Sequence, residues 1–284
     1  MLFSKIIKKK FDAVLGRYEG DPNIVYPTMT DFPNLKREFH PIQADNQVEL
    51  QGYFYYKDTF NPQNLIVFDH GISAGHEAYL NEINMLAQHD YTIYSYDHTG
   101  CVLTGGSGIL GFAQGINDLD HVITDLLSDA KLNISSLKLM GHSWGAYASM
   151  NVAALHPEVS HVVSLAGFLS ARSLIEQYIP KPFLKYSEEV MERERQHNPK
   201  YADMNALQSL QKTNCALFYI QSKEDEKVKF ELGYKPLFAA FQNRKNTQFV
   251  AVENHAHDPQ RMPNQDFKQD EQTWNLIFNF LETK

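Results

Sequence analysis

The chain has 284 residues, 43% hydrophobic and 12% aromatic, which is enough apolar material for a full core in one large domain. Its formal net charge of -8 argues against nucleic acid as the main partner. The two cysteines, Cys101 and Cys215, fall in different predicted elements, so no disulfide framework is expected and a cytoplasmic location is.

Residues 1–18 read as a basic amphipathic helix. Phe3, Ile6, Ile7, Phe11, Val14 and Leu15 recur at helical spacing, with Lys5, Lys8, Lys9 and Lys10 between them. The lysines interrupt every apolar stretch, so a signal peptide is not expected. The favoured reading is a helix packed on the domain, with contact to a membrane surface as the alternative. No run is long and apolar enough to predict a transmembrane segment. Pro22, Pro27 and Pro33 mark an irregular lead-in. Glu38–Ile42 and Val48–Tyr56 then read as a strand pair turning at Asp45-Asn46.

Alternation follows. Asn64–His70 is an apolar strand that runs through Gly71–Gly75 into a helix carrying Leu80, Ile83 and Leu86. Tyr91–Asp97 is the next strand, followed by a Gly-rich loop over 99–115 and a helix from Ile116 to Ala130. Leu137–Met140 reads as a buried strand, residues 146–153 as a packed helix, and His161–Gly167 as another strand. Between Phe168 and Lys212 the return to a strand is delayed beyond an ordinary connection, which predicts a small helical lid over 168–212. The strand Ala216–Gln221, a helix over 228–241, the strand Thr247–Val252 and a helix over Glu271–Leu281 resume the pattern. Alternating elements predict an α/β fold, a mostly parallel sheet flanked by helices, as one domain over 1–284.

The organising stretch is Gly141-His142-Ser143-Trp144-Gly145, set between a strand and a helix. Gly-x-Ser-x-Gly in that setting is the sequence form of a nucleophile elbow. The turn holds the serine at strained backbone angles with its hydroxyl exposed, and side chains at the flanking glycines would clash with neighbouring elements. The helix that follows also aims its first N–H groups at the reacting centre.

On this elbow, the His70-Gly71 pair and the chain order serine, acid, histidine, the chain resembles an α/β-hydrolase over essentially its full length. More narrowly, His70–Tyr79, Gly111–Asp120 and Ser164–Phe168 look like stretches of bacterial serine hydrolases of the esterase and lipase-like kind. The resemblance implies a small-molecule ester or other acyl substrate and no cofactor.

It also implies roles. Ser143 as nucleophile needs a histidine base in the loop after the last strand, where both His255 and His257 lie. His257 is favoured, because related hydrolases usually place this histidine after a small residue, here Ala256; His255 is the alternative. Asp225, with Val228 three residues on, matches the family's acid, with Glu224 and Glu226 as loop charges beside it. The oxyanion donors would be the backbone N–H groups of Ile72 and Trp144. His70 and Gly71 would support the loop, and His142 would be structural or line the acyl pocket. Asp97-His-Thr-Gly100 departs from the family's Asp-x-Arg-Gly. His255, His257 and Asp258, with His70 and His76 elsewhere, lack the spacing of a metal site, so none is expected. The alternatives to an esterase are a thioesterase, amidase or peptidase, an acyltransferase, or a catalytically silent binding module.

Overall fold

A computed structural model describes residues 2–44, 47–265 and 267–283, with side chains from Lys5 onward; the turn expected at Asp45-Asn46 lies outside it. The chain opens with helix α1 (Leu2–Val14) and then the short strands β1 (Lys36–Phe39), β2 (Ile42–Gln43), β3 (Glu49–Leu50) and β4 (Gly52–Tyr56). The alternating part runs β5 (Leu65–Asp69), α2 (Leu80–Gln88), β6 (Thr92–Tyr96), α3 (Gln114–Ser128), β7 (Leu137–His142), α4 (Trp144–Val152) and β8 (Val159–Leu165). Helices α5 (Ala171–Tyr178), α6 (Ser187–His197) and α7 (Ala206–Gln211) precede β9 (Ala216–Ser222), α8 (Tyr234–Phe241), β10 (Thr247–Val252) and α9 (Glu271–Leu281).

Eight strands form one sheet in the order β1-β4-β6-β5-β7-β8-β9-β10. The first two pairings are antiparallel and the rest parallel. Helices cover both faces, so the central strands are buried along most of their length and largely apolar. Alternation still sorts their side chains. Val67, Leu139, Leu217 and Tyr219 join the core beneath α3 and α4. Ile66, Phe68, Met140, Phe218 and Ile220 join the one beneath α2 and α9. A polar substitution at any of these would strand an unpaired group in one core or the other.

Two expected elements differ. The strand pair over 38–56 is split: β1 pairs with β4 (Lys36 opposite Tyr56), while Ile42 pairs separately with Leu50. Pro41 lies at the break, where it can donate no ladder hydrogen bond. The helix expected over 228–241 begins only at Tyr234, which places Pro236 in the first turn, where its missing N–H costs no intrahelical bond. Helix α3 starts at Gln114, two residues early, and includes Gly115; a Cβ there would lie 2.8 Å from the Trp144 ring.

The 168–212 segment holds α5, a 3-10 helix over Lys181–Tyr186, α6 and α7. Helix α7 rests on α4, whereas α1 lies against α6 and the 3-10 helix. Among the described residues no helix is long and apolar enough to cross a membrane.

Candidate active site

Strand β7 ends at His142, α4 starts at Trp144, and Ser143 between them has φ 54° and ψ -107°. That left-handed φ is costly for a residue with a Cβ, so the surroundings must enforce it. The Ser143 N–H is tied to the Leu165 carbonyl at 2.8 Å. A Cβ on Gly141 would lie 2.4 Å from the Gly145 carbonyl carbon, and one on Gly145 would lie 2.2 Å from the Asp69 carbonyl oxygen. Both glycines are therefore fixed by contact between β7, α4 and β5. Trp144 is the first residue of α4, so its N–H has no partner within the helix. Its indole N–H donates to the Phe112 carbonyl at 2.6 Å.

Ser143 and His257 are both buried and line one cavity of about 460 Å3, together with Gly71, Ile72, His142 and Asp258. The His257 Nδ1 is 2.9 Å from each oxygen of Asp225. Asp225 is itself buried: its Oδ1 accepts the N–H groups of Lys227 and Val228 at 2.9 Å, and its Oδ2 accepts the Gln221 amide at 3.2 Å. With both Asp225 oxygens accepting at Nδ1, the His257 proton sits on Nδ1, leaving Nε2 as an acceptor. Glu224 and Glu226 are exposed; Glu224 takes the Asn254 N–H at 2.8 Å.

His255 faces elsewhere. Its Nε2 lies 3.0 Å from Asp270 and its Nδ1 2.6 Å from the Glu253 carbonyl oxygen. Asn254 and Ala256 take positive φ on either side of it, so the loop turns at each and the two imidazoles diverge.

His142 belongs to a directed chain of hydrogen bonds. Its Nε2 is 2.9 Å from the His257 carbonyl oxygen, which can only accept, and its Nδ1 is 2.8 Å from the Tyr79 hydroxyl. Burial pushes the His142 pKa down to about 4, with neighbouring Asp258 opposing, so the ring is neutral with its proton on Nε2. The Tyr79 O–H therefore donates to Nδ1, while its oxygen accepts the Gly71 N–H at 3.1 Å. A Cβ on Gly71 would sit 2.8 Å from that oxygen. The chain thus links the loop carrying Ile72 to the backbone of His257.

His70 does not line the cavity. Its Nδ1 donates to the Gly71 carbonyl at 2.7 Å and its Nε2 accepts the His98 N–H at 3.0 Å, with burial holding its pKa down at about 3. Beneath it, His98 is paired with Asp69 on one side and lies 3.1 Å from Asp118 on the other. Burial opposes its charge, but the two carboxylates prevail and raise its pKa to about 10. Thr99 stands where the resembling family has arginine and bonds Asp118 through both its N–H and its hydroxyl. The loop's positive charge is carried by His98 instead.

Sequence reasoning missed Tyr79, Gln221 and His98. Gln221 had a signal, a polar residue inside an apolar strand. Tyr79 had none, since an aromatic at helical spacing reads as core.

The parallel sheet, the elbow and the loop order define an α/β-hydrolase. The chain belongs to the family described as serine aminopeptidase, S33, whose model matches residues 61–254. An esterase of Pyrococcus furiosus has the same fold, with a TM-score of 0.68 at 15% identity, covering 94% of this chain and 98% of that one. So has an α/β-hydrolase of Penicillium, at a TM-score of 0.63 and 14% identity, over 87% of this chain and 98% of that one. A candidate non-heme haloperoxidase of Mycobacterium phage D29 is 31% identical over 106 residues. That match spans 37% of this chain and 35% of the relative's length.

Proposed function

We propose that the protein is a serine hydrolase that cleaves a carboxylic ester through an acyl-enzyme. The observation that carries this is Ser143, strained at the N-terminus of α4, sharing one cavity with a His257 backed by Asp225. Ser143 attacks the carbonyl carbon while His257 Nε2 takes its proton, and Asp225 stabilises the imidazolium that forms. The N–H groups of Ile72 and Trp144 receive the oxyanion. His257 passes the proton to the leaving alcohol; a water activated by the same nitrogen then releases the acid and frees Ser143.

The family description favours a second reading, cleavage of an amide after a free amino terminus. Such a substrate brings an α-ammonium that needs a carboxylate. Among the described residues the acid lining the cavity is Asp258, and it already lies 3.5 Å from the Arg261 guanidinium. That supports the ester.

Replacing Ser143 with Ala should abolish labelling by a fluorophosphonate probe and lower ester turnover on the order of a million-fold. Full activity in folded Ser143→Ala protein would end the reading. Faster cleavage of amino-acid p-nitroanilides than of p-nitrophenyl esters would move it to the amide.

A further inference from the structure

The cavity has a wall that belongs neither to the sheet nor to its crossover helices. Lys10, Phe11 and Val14 of α1 line the same space as Ser143 and His257. We infer that α1 is part of the substrate site and holds the acyl chain of the ester, with Phe11 and Val14 setting the chain length accepted. This rests on the ester-hydrolase reading above.

The helix is built in as a wall, with anchors on both flanks. Leu15 just beyond it is buried, and its carbonyl accepts the Ile109 N–H at 3.0 Å. A Cβ on Gly108 would come within 2.8 Å of that carbonyl oxygen, so the two segments meet backbone to backbone. Arg17 donates to the carbonyls of Val102 and Thr104 at 2.8 and 2.7 Å. On the other flank Asp12 pairs with Arg193 of α6, and the Lys10 ammonium lies 5.3 Å from the centre of the Tyr178 ring.

The lining is continuous with the nucleophile's own surroundings. The Phe11 ring meets Phe112 edge-on at 6.3 Å, and Phe112 meets Phe168 edge-on at 6.1 Å. The Phe112 carbonyl is the acceptor for Trp144, the residue after Ser143. Of the cations lining the cavity, Arg261 is bound to buried Glu82, Lys10 lies over Tyr178, and Lys227 is exposed. Val14 remains 39% exposed although it lines the cavity. Uncovered apolar surface in a pocket gains most from a ligand's methylene groups. The chemistry fits an uncharged, extended hydrocarbon acyl group.

The test is the ratio of kcat/KM for p-nitrophenyl octanoate to that for p-nitrophenyl acetate. In Val14→Trp the ratio should fall about ten-fold or more, because a pocket's discrimination per lost methylene contact is of that order. In Val14→Ala it should rise. Lys9→Trp, exposed on α1 and not part of the lining, should keep the parent's ratio. A ratio that stays with the parent's in Val14→Trp, or one that falls equally in Lys9→Trp, overturns the inference. If the parent neither labels with fluorophosphonate nor hydrolyses acetate, the hydrolase reading fails and this one falls with it. An active parent with an unmoved Val14→Trp ratio fails this inference alone.

Discussion

Two histidines separated only by Ala256 answer to different carboxylates, His257 to Asp225 and His255 to Asp270. His257→Ala should therefore lose several orders of magnitude in turnover. His255→Ala should lose about ten-fold at most, through the loop's packing. Steady-state kinetics on the two purified variants decides this, and the reverse result would make His255 the base. Tyr79 offers a finer test, since it lines the cavity and its hydroxyl also bridges Gly71 and His142. Tyr79→Phe leaves a buried N–H and a ring nitrogen unpaired, each worth about 1–3 kcal/mol. On the proposed mechanism the expected result is a fall in kcat of about ten-fold with little change in KM, since the proposed oxyanion loop would lose its alignment with the proposed base. A rise in KM alone would instead give Tyr79 a role in binding.

Helix α6 is tied to α3 by one buried carboxylate. Glu194 accepts the N–H groups of Phe112 and Ala113 at 2.9 and 3.0 Å, and a Cβ on Gly111 would come within 2.6 Å of it. Burial raises its pKa from 4.5 to about 6, against those two hydrogen bonds. A carboxyl raised on folding contributes stability that is full below 4.5 and is lost as pH rises through about 6. Urea unfolding of the parent and of Glu194→Gln between pH 4.5 and 7 should show this downward component in the parent alone. Superimposable pH profiles would dismiss it. Strand and helix alternation and the strand–turn–helix at Gly141–Gly145 were readable from the sequence, because periodicity and glycine placement report local geometry directly. The role of α1 was not. An amphipathic pattern says which face of a helix is apolar but not what that face covers, and here it covers both α6 and the wall of a cavity. The helix over 228–241 starts later than its apolar spacing suggests for a related reason: that spacing takes no account of Pro236, which a helix accommodates in its first turn and not in its interior.

Across the whole molecule, buried histidines of opposite charge preference set the pH range of the fold. His70 and His142 are depressed to about 3 and about 4, so their contribution is present above the ordinary value of 6.5 and is lost as pH falls through the depressed ones. His98 is raised to about 10, so its contribution is full below 6.5 and is lost as pH climbs through 10. Thermal unfolding across pH 4 to 10 should show these two losses at the two ends. His142→Gln should reduce the acid loss while leaving the alkaline one, and an unchanged acid limb would refute the assignment. The hydrogen-bond chain through His142 carries a further consequence, for the order of folding. It bridges 63 residues to Tyr79 and 115 residues to the His257 carbonyl. Contacts of such separation form late, because loop closure must be met before they can contribute. During refolding from urea, compaction and helical signal should return well before hydrolytic turnover does. Turnover should appear only in the slowest phase, when the C-terminal loop meets the elbow.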